Sequence, residues 1–463
     1  MIMNYNVFGG HFMHIIVVGL GKVGQIVTKY LADEGHDVIV IDTNVKKMEE
    51  IVDTYDVMGI SGNGANNDVL KEAKVDEADV VIAVTTSDEL NILVGLLSKQ
   101  LGAKHCIVRV RNPDYSNQSQ FLQESLGFSM VINPEFEAAS EIRRMILFPS
   151  AIKVDLFANG KVEMVEFKVK KDCPLINNPL SDLSKITKSN VLISTIKHGE
   201  KVIIPNGDYI VEKGDHIFVV GSHRDLMRFS LDMRFLSNKI KDVMIIGGSK
   251  IAYYLTKQLG VLGIKTKIFE KNRDRCIELS QRLKYSTIIE ADGNKHEILL
   301  EEGIKRTNAI ITLTGMDEEN IVLALLAKRL GVKKAIAKVN HSILSQMQDE
   351  MNLDNIVDPK GIIASHILRY VRMKACDDSN IVNVYKNINE DIEAVEFVVN
   401  EKSKYIHTPL KKLHFKKQIL MAGIVRNDEM IIPKGDTTFE IGDKIVIVTV
   451  QSVIKKFNDI FEV

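Results

Sequence analysis

The chain has 463 residues, and its 60 basic residues nearly balance 61 acidic ones, so the formal net charge at neutral pH is −1. This length predicts three or four domains, and the charge balance argues against a dedicated nucleic-acid-binding protein. The longest apolar runs, such as 321–327, are about a third of the ~20 residues that a membrane-spanning helix needs. We therefore expect no membrane span.

Short apolar runs alternate with longer amphipathic stretches through residues 13–149. The runs are rich in Val and Ile and predict buried strands, and the stretches between them predict helices. This alternation predicts an α/β domain with a parallel, doubly wound sheet. The predicted helices lie at 22–33, 45–52, 67–73 and 89–101, with a longer one at 134–147.

Residues 150–236 show a different pattern, in which short β segments are separated by turns rich in Gly, Asn and Asp. The segments MVEFKVK, VLISTIK, DYIVEKG and HIFVVG all predict strands. They indicate a small α+β domain that follows the first.

The whole arrangement occurs twice. Gly19 corresponds to Gly247 and Pro205 to Pro433, each pair 228 residues apart, and the matched blocks keep their order. We therefore predict a tandem duplication of one two-domain unit. The predicted parts are 13–149, 150–236, 237–373 and 374–463, with residues 1–12 as a leader outside the repeat.

A glycine-rich turn, Gly19–Gly24, has the pattern GxGxxG between a predicted strand and a predicted helix. In that setting Gly21 would let a pyrophosphate approach the backbone, and the helix N-terminus would offer N–H groups and partial positive charge. Asp42 ends the next strand, 18 residues after Gly24, and can bind both ribose hydroxyls. Its charge favours NAD(H) or an adenine nucleotide over NADP(H). The alternative is a glycine turn without a ligand.

Loops after neighbouring strands lead to the same edge of the predicted sheet. Thr85 and Thr86 follow the fourth strand, where they either touch a ligand or belong to an ordinary helix cap. Gly62 and Asn63 follow the third strand and border the expected adenine. Arg109 ends the fifth strand and contacts either solvent, a phosphate or another subunit.

The second copy of the turn is altered. Ser249 replaces the middle glycine and Ala252 the last one, while Glu270 still ends the second strand. A serine side chain would crowd or reshape a phosphate turn. We expect this copy to be either a weaker nucleotide site or a retained structural turn.

Catalytic and metal-binding patterns are missing from the sequence. We find no HExxH, GxSxG or GxxxxGK[ST] pattern, and the four cysteines form no CxxC pair. His198, His216 and His223 have no histidine counterparts in the second copy, so we interpret them as surface residues. We therefore expect no catalytic residues and no metal, and keep an NAD-dependent oxidoreductase as the alternative.

The segments IIVVGLGKVGQIV, SGNGANNDVL, VTTSDELNILVGLLSKQLGA and PNGD…EKGDHIFVVG together resemble the RCK (regulator of potassium conductance) family. Two such units in tandem resemble its TrkA branch, the regulatory subunits of Trk-type potassium uptake systems. The resemblance implies a Rossmann domain and a small C-terminal domain in each unit. It also implies NAD(H) or ATP/ADP as ligands and control of potassium transport at the inner face of the membrane.

The resemblance further implies a TrkH-like membrane partner and a homotetramer of tandem chains. The apolar residues of the helix near 134–147 fit such an interface, and we expect no nucleic-acid partner. By motif match, the nucleotide-binding residues would be Gly19, Leu20, Gly21, Lys22, Val23, Gly24, Asp42, Thr43, Gly62, Asn63, Thr85, Thr86, Glu89, Arg109, Gly247, Gly248, Ser249 and Glu270.

Overall fold

The computed structural model divides the chain into two compact units. The first combines Met1–Arg143 with Ile240–Val371, and the second combines Arg144–Lys239 with Arg372–Val463. The structure describes residues 11–116, 119–199, 201–235, 240–340, 353, 355–375, 381–386, 392–450, 454 and 456–462. The predicted leader therefore lies almost wholly outside the described residues.

The first part of the chain forms a six-stranded parallel sheet with helices. Its strands are β1 (His14–Val18), β2 (Asp37–Asp42), β3 (Met58–Ser61), β4 (Val80–Ala83), β5 (His105–Arg109) and β6 (Met130–Ile132). Its helices are α1 (Lys22–Asp33), α2 (Val45–Thr54), α3 (Asn67–Glu72), α4 (Asp88–Gln100), α5 (Pro113–Ser116), α6 (Ser119–Leu126) and α7 (Pro134–Leu147). The order β3-β2-β1-β4-β5-β6 is that of a Rossmann fold. We name this the first Rossmann part.

The first C-terminal part is a five-stranded antiparallel sheet with two helices. It contains β7 (Ala151–Phe157), β8 (Val162–Lys168), α8 (Leu183–Ile186), β9 (Val191–His198), β10 (Lys201–Ile203), β11 (His216–Gly221) and α9 (His223–Asp232). The strand order is β10-β9-β11-β8-β7.

The second Rossmann part repeats the first, with the order β14-β13-β12-β15-β16-β17 given by the strands and helices below. Its strands are β12 (Asp242–Ile246), β13 (Lys265–Glu270), β14 (Ser286–Glu290), β15 (Ala309–Thr312), β16 (Lys334–Lys338) and β17 (Asn355–Val357). Its described helices are α10 (Lys250–Val261), α11 (Arg273–Arg282), α12 (His296–Glu301), α13 (Asp317–Arg329) and α14 (Pro359–Ala375).

The second C-terminal part repeats the antiparallel sheet. Its strands are β18 (Ile381–Lys386), β19 (Ile392–Val398), β20 (Ile419–Arg426), β21 (Glu429–Ile431) and β22 (Lys444–Val450). Their order, β18-β19-β22-β20-β21, is that of the first copy read from the opposite edge. The predicted fold class, a tandem duplication of a Rossmann-like sheet and a small α+β domain, is confirmed.

One predicted strand is absent from the first C-terminal part. Residues 208–214 form turns and a single bridge from Ile210 to Pro179, whereas the short strand β10 lies just before them. Asp215 explains the difference, because its carboxylate accepts from the Glu212 N–H and the Tyr209 hydroxyl and thereby holds this segment as a loop.

The parallel sheet and the antiparallel sheets are buried by different neighbours. The middle strands, β4 throughout and β1 after His14, are apolar and buried, as expected for a parallel sheet with helices on both faces. In the second unit, an apolar cluster joins the two C-terminal sheets, with Phe157 and Val162 from one copy and Ala422 and Val446 from the other.

The two Rossmann parts contact each other through helices at the ends of their sheets. Asn133 donates to the Tyr254 hydroxyl at 3.0 Å, and Phe136 packs edge-on against the same ring. Gln258 on α10 donates to Ser140 on α7 at 3.0 Å. We expected the apolar residues near 134–147 to form an interface between chains. Four apolar residues of 134–148, Ile142, Met145, Ile146 and Phe148, are instead buried within the chain itself.

Candidate functional site

Two of the three glycines in the turn after β1 have no space for a side chain. Gly19 has a φ of +101°, and a Cβ there would lie 2.8 Å from the Thr85 backbone. A Cβ on Gly24 would lie 2.0 Å from the Gly19 carbonyl oxygen, whereas one on Gly21 meets nothing within 4 Å. Gly19 and Gly24 thus hold the turn closed, and Gly21 faces open space.

The N-terminus of α1 receives no side-chain cap. Gly21 occupies the cap position and has no side chain to accept from the first N–H groups. In the same Rossmann part, α2, α3 and α4 are capped by Asn44, Asn66 and Ser87. The start of α1 therefore presents N–H donors and the positive end of the helix dipole, which together suit an anion.

Asp42 lies beside this turn at the end of β2. Its carboxylate accepts from the Leu20 N–H at 2.5 Å and from the Asn44 N–H at 2.8 Å. These two bonds fix the orientation of the carboxylate, and each oxygen keeps a further lone pair for a ligand hydroxyl.

A buried amide fixes the loop after β4. Asn91, on α4, accepts from the Thr85 N–H at 2.8 Å and from its hydroxyl at 2.7 Å, and donates to the Arg109 carbonyl at 3.0 Å. The Arg109 guanidinium bonds the Thr85 carbonyl, and Arg111 bonds the Thr86 carbonyl at 2.6 Å. Burial lowers the pKa of Arg109, and Arg111 lowers it further. Both arginines thus brace the loop.

A cavity of about 700 Å³ opens in front of the turn, and both Rossmann parts line it. From the first part come the turn, Asp42 and the loops after β3, β4 and β5. From the second part come residues at the starts of α10 and α14 and the end of β16, namely Ser249, Lys250, Ile251, Lys338, Asn340, Pro359 and Lys360.

The cavity wall carries a surplus of positive charge. Seven basic side chains line it, against two acidic ones, Asp42 and Glu135. Burial lowers the pKa of Lys360 to about 8, and the neighbouring Lys22 ammonium contributes to this shift. Burial also lowers the pKa of Lys338, which donates to the Thr314 carbonyl at 2.6 Å. Such a wall suits a polyanion.

The second turn has the same backbone plan with different chemistry. Ser249 caps α10 by accepting from the Ala252 N–H at 3.3 Å, so a side chain already occupies the place of an anion. Arg275, the counterpart of Lys47, donates to the Gly248 carbonyl at 2.7 Å. Glu270 holds the Gly248 N–H at 2.8 Å.

The cavity at the second turn is smaller and carries the opposite charge. Its volume is about 330 Å³, and its charged lining residues are Glu270, Asp292 and Glu319 with the single base Lys271. A phosphate group would meet a net negative wall here.

The predicted site residues fall into three groups. Those that line the first cavity are Gly19, Gly21, Lys22, Val23, Asp42, Thr43, Gly62, Asn63, Thr85, Thr86, Arg109 and Ser249. Gly247, Gly248 and Glu270 line the second, and Ser249 lines both. Leu20, Gly24 and Glu89 line neither, and Glu89 instead accepts from the Ser87 and Tyr115 hydroxyls.

Apart from Ser249, the residues that the second Rossmann part contributes to the first cavity were not predicted from the sequence, nor were Lys47 and Glu135 of the first part. A signal for two of them exists in the repeat, because Asn133-Pro-Glu135 aligns with Asp358-Pro-Lys360. That alignment shows a charge reversal but not that both positions face one cavity.

The histidines of the first C-terminal part all have acidic partners. His198 contacts Asp215, His216 contacts Glu166 and His223 contacts Glu163, at 2.7, 2.7 and 3.2 Å. Among the described residues no cluster of His, Cys, Asp and Glu could hold a metal ion, and Cys106, Cys173 and Cys276 are free thiols. Within the same part of the chain, no helix is long and apolar enough to cross a membrane.

Comparison with known protein families gives two matches, each repeated. The TrkA-N domain matches residues 15–134 and 243–359, and the TrkA-C domain matches residues 164–232 and 394–462. The chain belongs to the TrkA family. A relative from Archaeoglobus fulgidus, named as a Trk system potassium uptake protein TrkA homolog, is 33% identical over 97% of this chain and all of its own.

A second TrkA relative, from Halomonas elongata and named as a Trk system potassium uptake protein, is 29% identical over 95% of this chain and 96% of its own. Among solved structures, the GsuK channel resembles this TrkA-family chain with a TM-score of 0.63 at 15% identity, over 95% of this chain and 77% of that one. The GsuK channel bound to NAD gives a TM-score of 0.62 at the same identity and coverage. These neighbours share the fold.

The glycines of the first turn supply a matched pair of substitutions. We expect Gly24→Ala to lower the free energy of unfolding by roughly 1–3 kcal/mol or more, because its Cβ overlaps the Gly19 carbonyl. Gly21→Ala should lose less than about 1 kcal/mol, the effect of a poorer helix cap in open space. Urea denaturation of both variants checks this, and equal losses would contradict the geometry.

Proposed function

We propose that this chain is a nucleotide-sensing regulatory subunit of a Trk-type potassium uptake system. It binds NAD(H), ADP or ATP in the first cavity and thereby controls potassium transport by a TrkH-like membrane partner. The observation that carries the proposal is the uncapped N-terminus of α1, which opens into a cationic cavity beside Asp42.

The first cavity has groups that suit both the phosphates and the ribose of a nucleotide. The N–H groups of α1 and the surrounding bases suit phosphates, and Asp42 suits the two hydroxyls of a ribose. NAD(H), ADP and ATP share these features, and a 2′-phosphate would face the Asp42 carboxylate. The structural neighbour described as bound to NAD has the same fold, which supports this class of ligand.

The first turn is the main site in this proposal. At the second turn, Ser249 caps α10 and Arg275 donates to the Gly248 carbonyl. The cavity there is lined mainly by acidic residues among its charged side chains. Each of these features disfavours a phosphate, so the second turn serves chiefly as structure.

A regulatory role is favoured over an NAD-dependent oxidoreductase. The relatives are named as potassium uptake proteins rather than as enzymes. The three histidines of the first C-terminal part are bonded to carboxylates, and among the described residues no histidine lines the first cavity. A ligand acts on such a protein by binding one arrangement better than another, and a coupling of about 1–3 kcal/mol changes transport several-fold to a hundredfold.

We place the protein at the cytoplasmic face of the membrane, held there by its partner. We also propose that four chains assemble into a ring of eight RCK units, because each chain supplies two.

Asp42 should decide which nucleotides bind. We expect NAD(H) and ADP to bind and NADP(H) to be rejected. Asp42→Ala should weaken NAD(H) and ADP by roughly 1.5–3 kcal/mol, since hydrogen bonds to a charged acceptor are lost. Isothermal titration measures this, with Glu270→Ala as the matched control in the second copy. Equal affinity of the native protein for NAD(H) and NADP(H) would exclude the role of Asp42.

The chain should assemble with itself in solution. Multi-angle light scattering at micromolar concentration should give the mass of four chains, with and without nucleotide. A mass of one chain, 52.0 kDa, under all conditions would contradict the ring.

Nucleotide should alter potassium flux only through this protein. In vesicles that contain the membrane partner, flux should change when both the protein and its nucleotide are added. Gly21→Ala should fold but lose this response, because its Cβ enters the space of the pyrophosphate. Equal flux with and without the protein and nucleotide, or steady substrate-dependent reduction of NAD, would overturn the proposal.

A further inference from the structure

Two helix starts from each Rossmann part meet across the first cavity. Lys22 begins α1, and its repeat counterpart Lys250 begins α10. Glu135 follows the proline that begins α7, and its counterpart Lys360 follows the proline that begins α14. All four side chains line the same cavity. The repeat thus creates two equivalent junctions, each with one residue from a glycine-turn helix and one from a proline-started helix.

The junction between Lys250 and Glu135 joins opposite charges. The Glu135 carboxyl is largely buried, and burial raises its pKa, while Lys250 and the cavity arginines lower it. Its Oε2 atom accepts no hydrogen bond from any described residue. Attraction across this junction compensates part of the cost of burying the carboxyl.

The junction between Lys22 and Lys360 joins like charges. Burial and the Lys22 ammonium lower the pKa of Lys360, and the carboxylates of Asp358 and Asp317 raise it by less. No carboxylate among the described residues forms an ion pair with either lysine at 4.0 Å or less. Lys360 is half-buried and Lys22 is exposed, and their ammonium groups lie close together without a carboxylate partner among the described residues.

We propose that Lys360, from the second Rossmann part, binds the terminal phosphate of a nucleoside diphosphate or triphosphate whose inner phosphates lie on the first glycine turn. Lys22 and Lys360 hold this phosphate between them. The inference rests on the proposed nucleotide site and adds a specificity-determining residue to it. The phosphate supplies the negative charge that Glu135 supplies at the other junction.

The lysine pair would let the site distinguish ADP and ATP from NAD(H), which Asp42 cannot do. Asp42 contacts the ribose that NAD(H), ADP and ATP have in common. At the far end they differ, because ADP and ATP end in a phosphate, whereas NAD(H) continues with a second nucleoside. An ammonium pair favours the terminal phosphate, since charge-assisted hydrogen bonds to phosphate oxygens are about twice as strong as neutral ones.

The ligand would also connect the two Rossmann parts. Without it, the starts of α1 and α14 repel each other through Lys22 and Lys360. With it, both lysines bind one anion. A nucleoside diphosphate or triphosphate therefore favours an arrangement in which these two helix starts are close, and NAD(H) does so less.

The test is isothermal titration of the full chain with ADP, ATP, AMP and NAD. Lys360→Gln should weaken ADP and ATP by roughly tenfold, the loss of one charge-assisted contact, and should leave AMP and NAD within about threefold. Lys305→Gln, an exposed lysine of the same Rossmann part outside the cavity, is the control and should change nothing. Unchanged ADP affinity in Lys360→Gln, or an equal loss for all four ligands, would overturn the inference.

Two further readouts separate a phosphate contact from a structural defect. Because the pKa of Lys360 is about 8 without ligand, a bound phosphate should raise that pKa. Binding of ADP near pH 8 should then take up as much as about half a proton, measured in buffers of different ionisation enthalpy. Lys360→Gln should lose this uptake, and retention of the full uptake would count against Lys360.

Lys360→Glu should lose ADP binding more completely than Lys360→Gln. It should nevertheless melt no lower than the native chain without nucleotide, because it turns a repulsive junction into an attractive one. A lower melting temperature together with normal ADP binding would contradict the proposal. Failure of the native chain to bind any nucleotide would instead overturn the proposed function, and this inference with it.

Discussion

The close packing of Gly24 against the Gly19 carbonyl is the constraint on which the site depends. A Cβ at Gly24 would lie only 2.0 Å from that oxygen, so α1 packs this closely against the first turn because the residue is glycine, whereas Ala252 holds the same position in the second copy. Because α1 begins there, its first N–H groups reach the sheet edge where the loops after β3, β4 and β5 also end. Asn91 and Arg109 then fix the loop after β4 around the turn. This contact therefore places the N–H donors of α1 at the cavity, beside Asp42 at the end of β2.

The two copies of the turn differ in whether the following helix has a side-chain cap: α1 has none, and α10 is capped by Ser249. Both copies keep the strand order, the positive φ of the first glycine and the acidic residue that ends the second strand. The Ser249 hydroxyl is the acceptor that Gly21 lacks. It accepts from the Ala252 N–H, which would otherwise be available to an anion. The acidic lining of the second cavity acts in the same direction. One copy can therefore serve as structure while the other stays available for a ligand.

Both Rossmann parts contribute side chains to the first cavity. Lys250, Lys338 and Lys360 come from the second part and line the cavity of the first. A ligand that fills this cavity would contact both halves of the repeat, and its binding free energy would then depend on how they are arranged. That dependence is what a regulatory subunit requires, since a ligand can shift an equilibrium only by its difference in affinity for the two states.

The sequence alone determined the fold class, because its patterns are local. Val- and Ile-rich runs that alternate with amphipathic stretches specify buried parallel strands, and the repeat specifies the duplication. The turn residues Gly19, Gly21 and Asp42 were also predictable, since their spacing follows from one strand–turn–helix unit. The loop at 208–214 was not, because its apolar residues suit a strand, whereas the Asp215 carboxylate and backbone bonds from Asn177 and Leu180 hold them as a loop.

The tertiary structure decided which side chains from the two copies share a cavity. Glu135 and Lys360 align in the repeat, but their meeting across one cavity depends on how two separately folded sheets pack, which no local pattern encodes. The sequence therefore predicted where a nucleotide would bind, and only the packing of the two copies determined the charges it would meet.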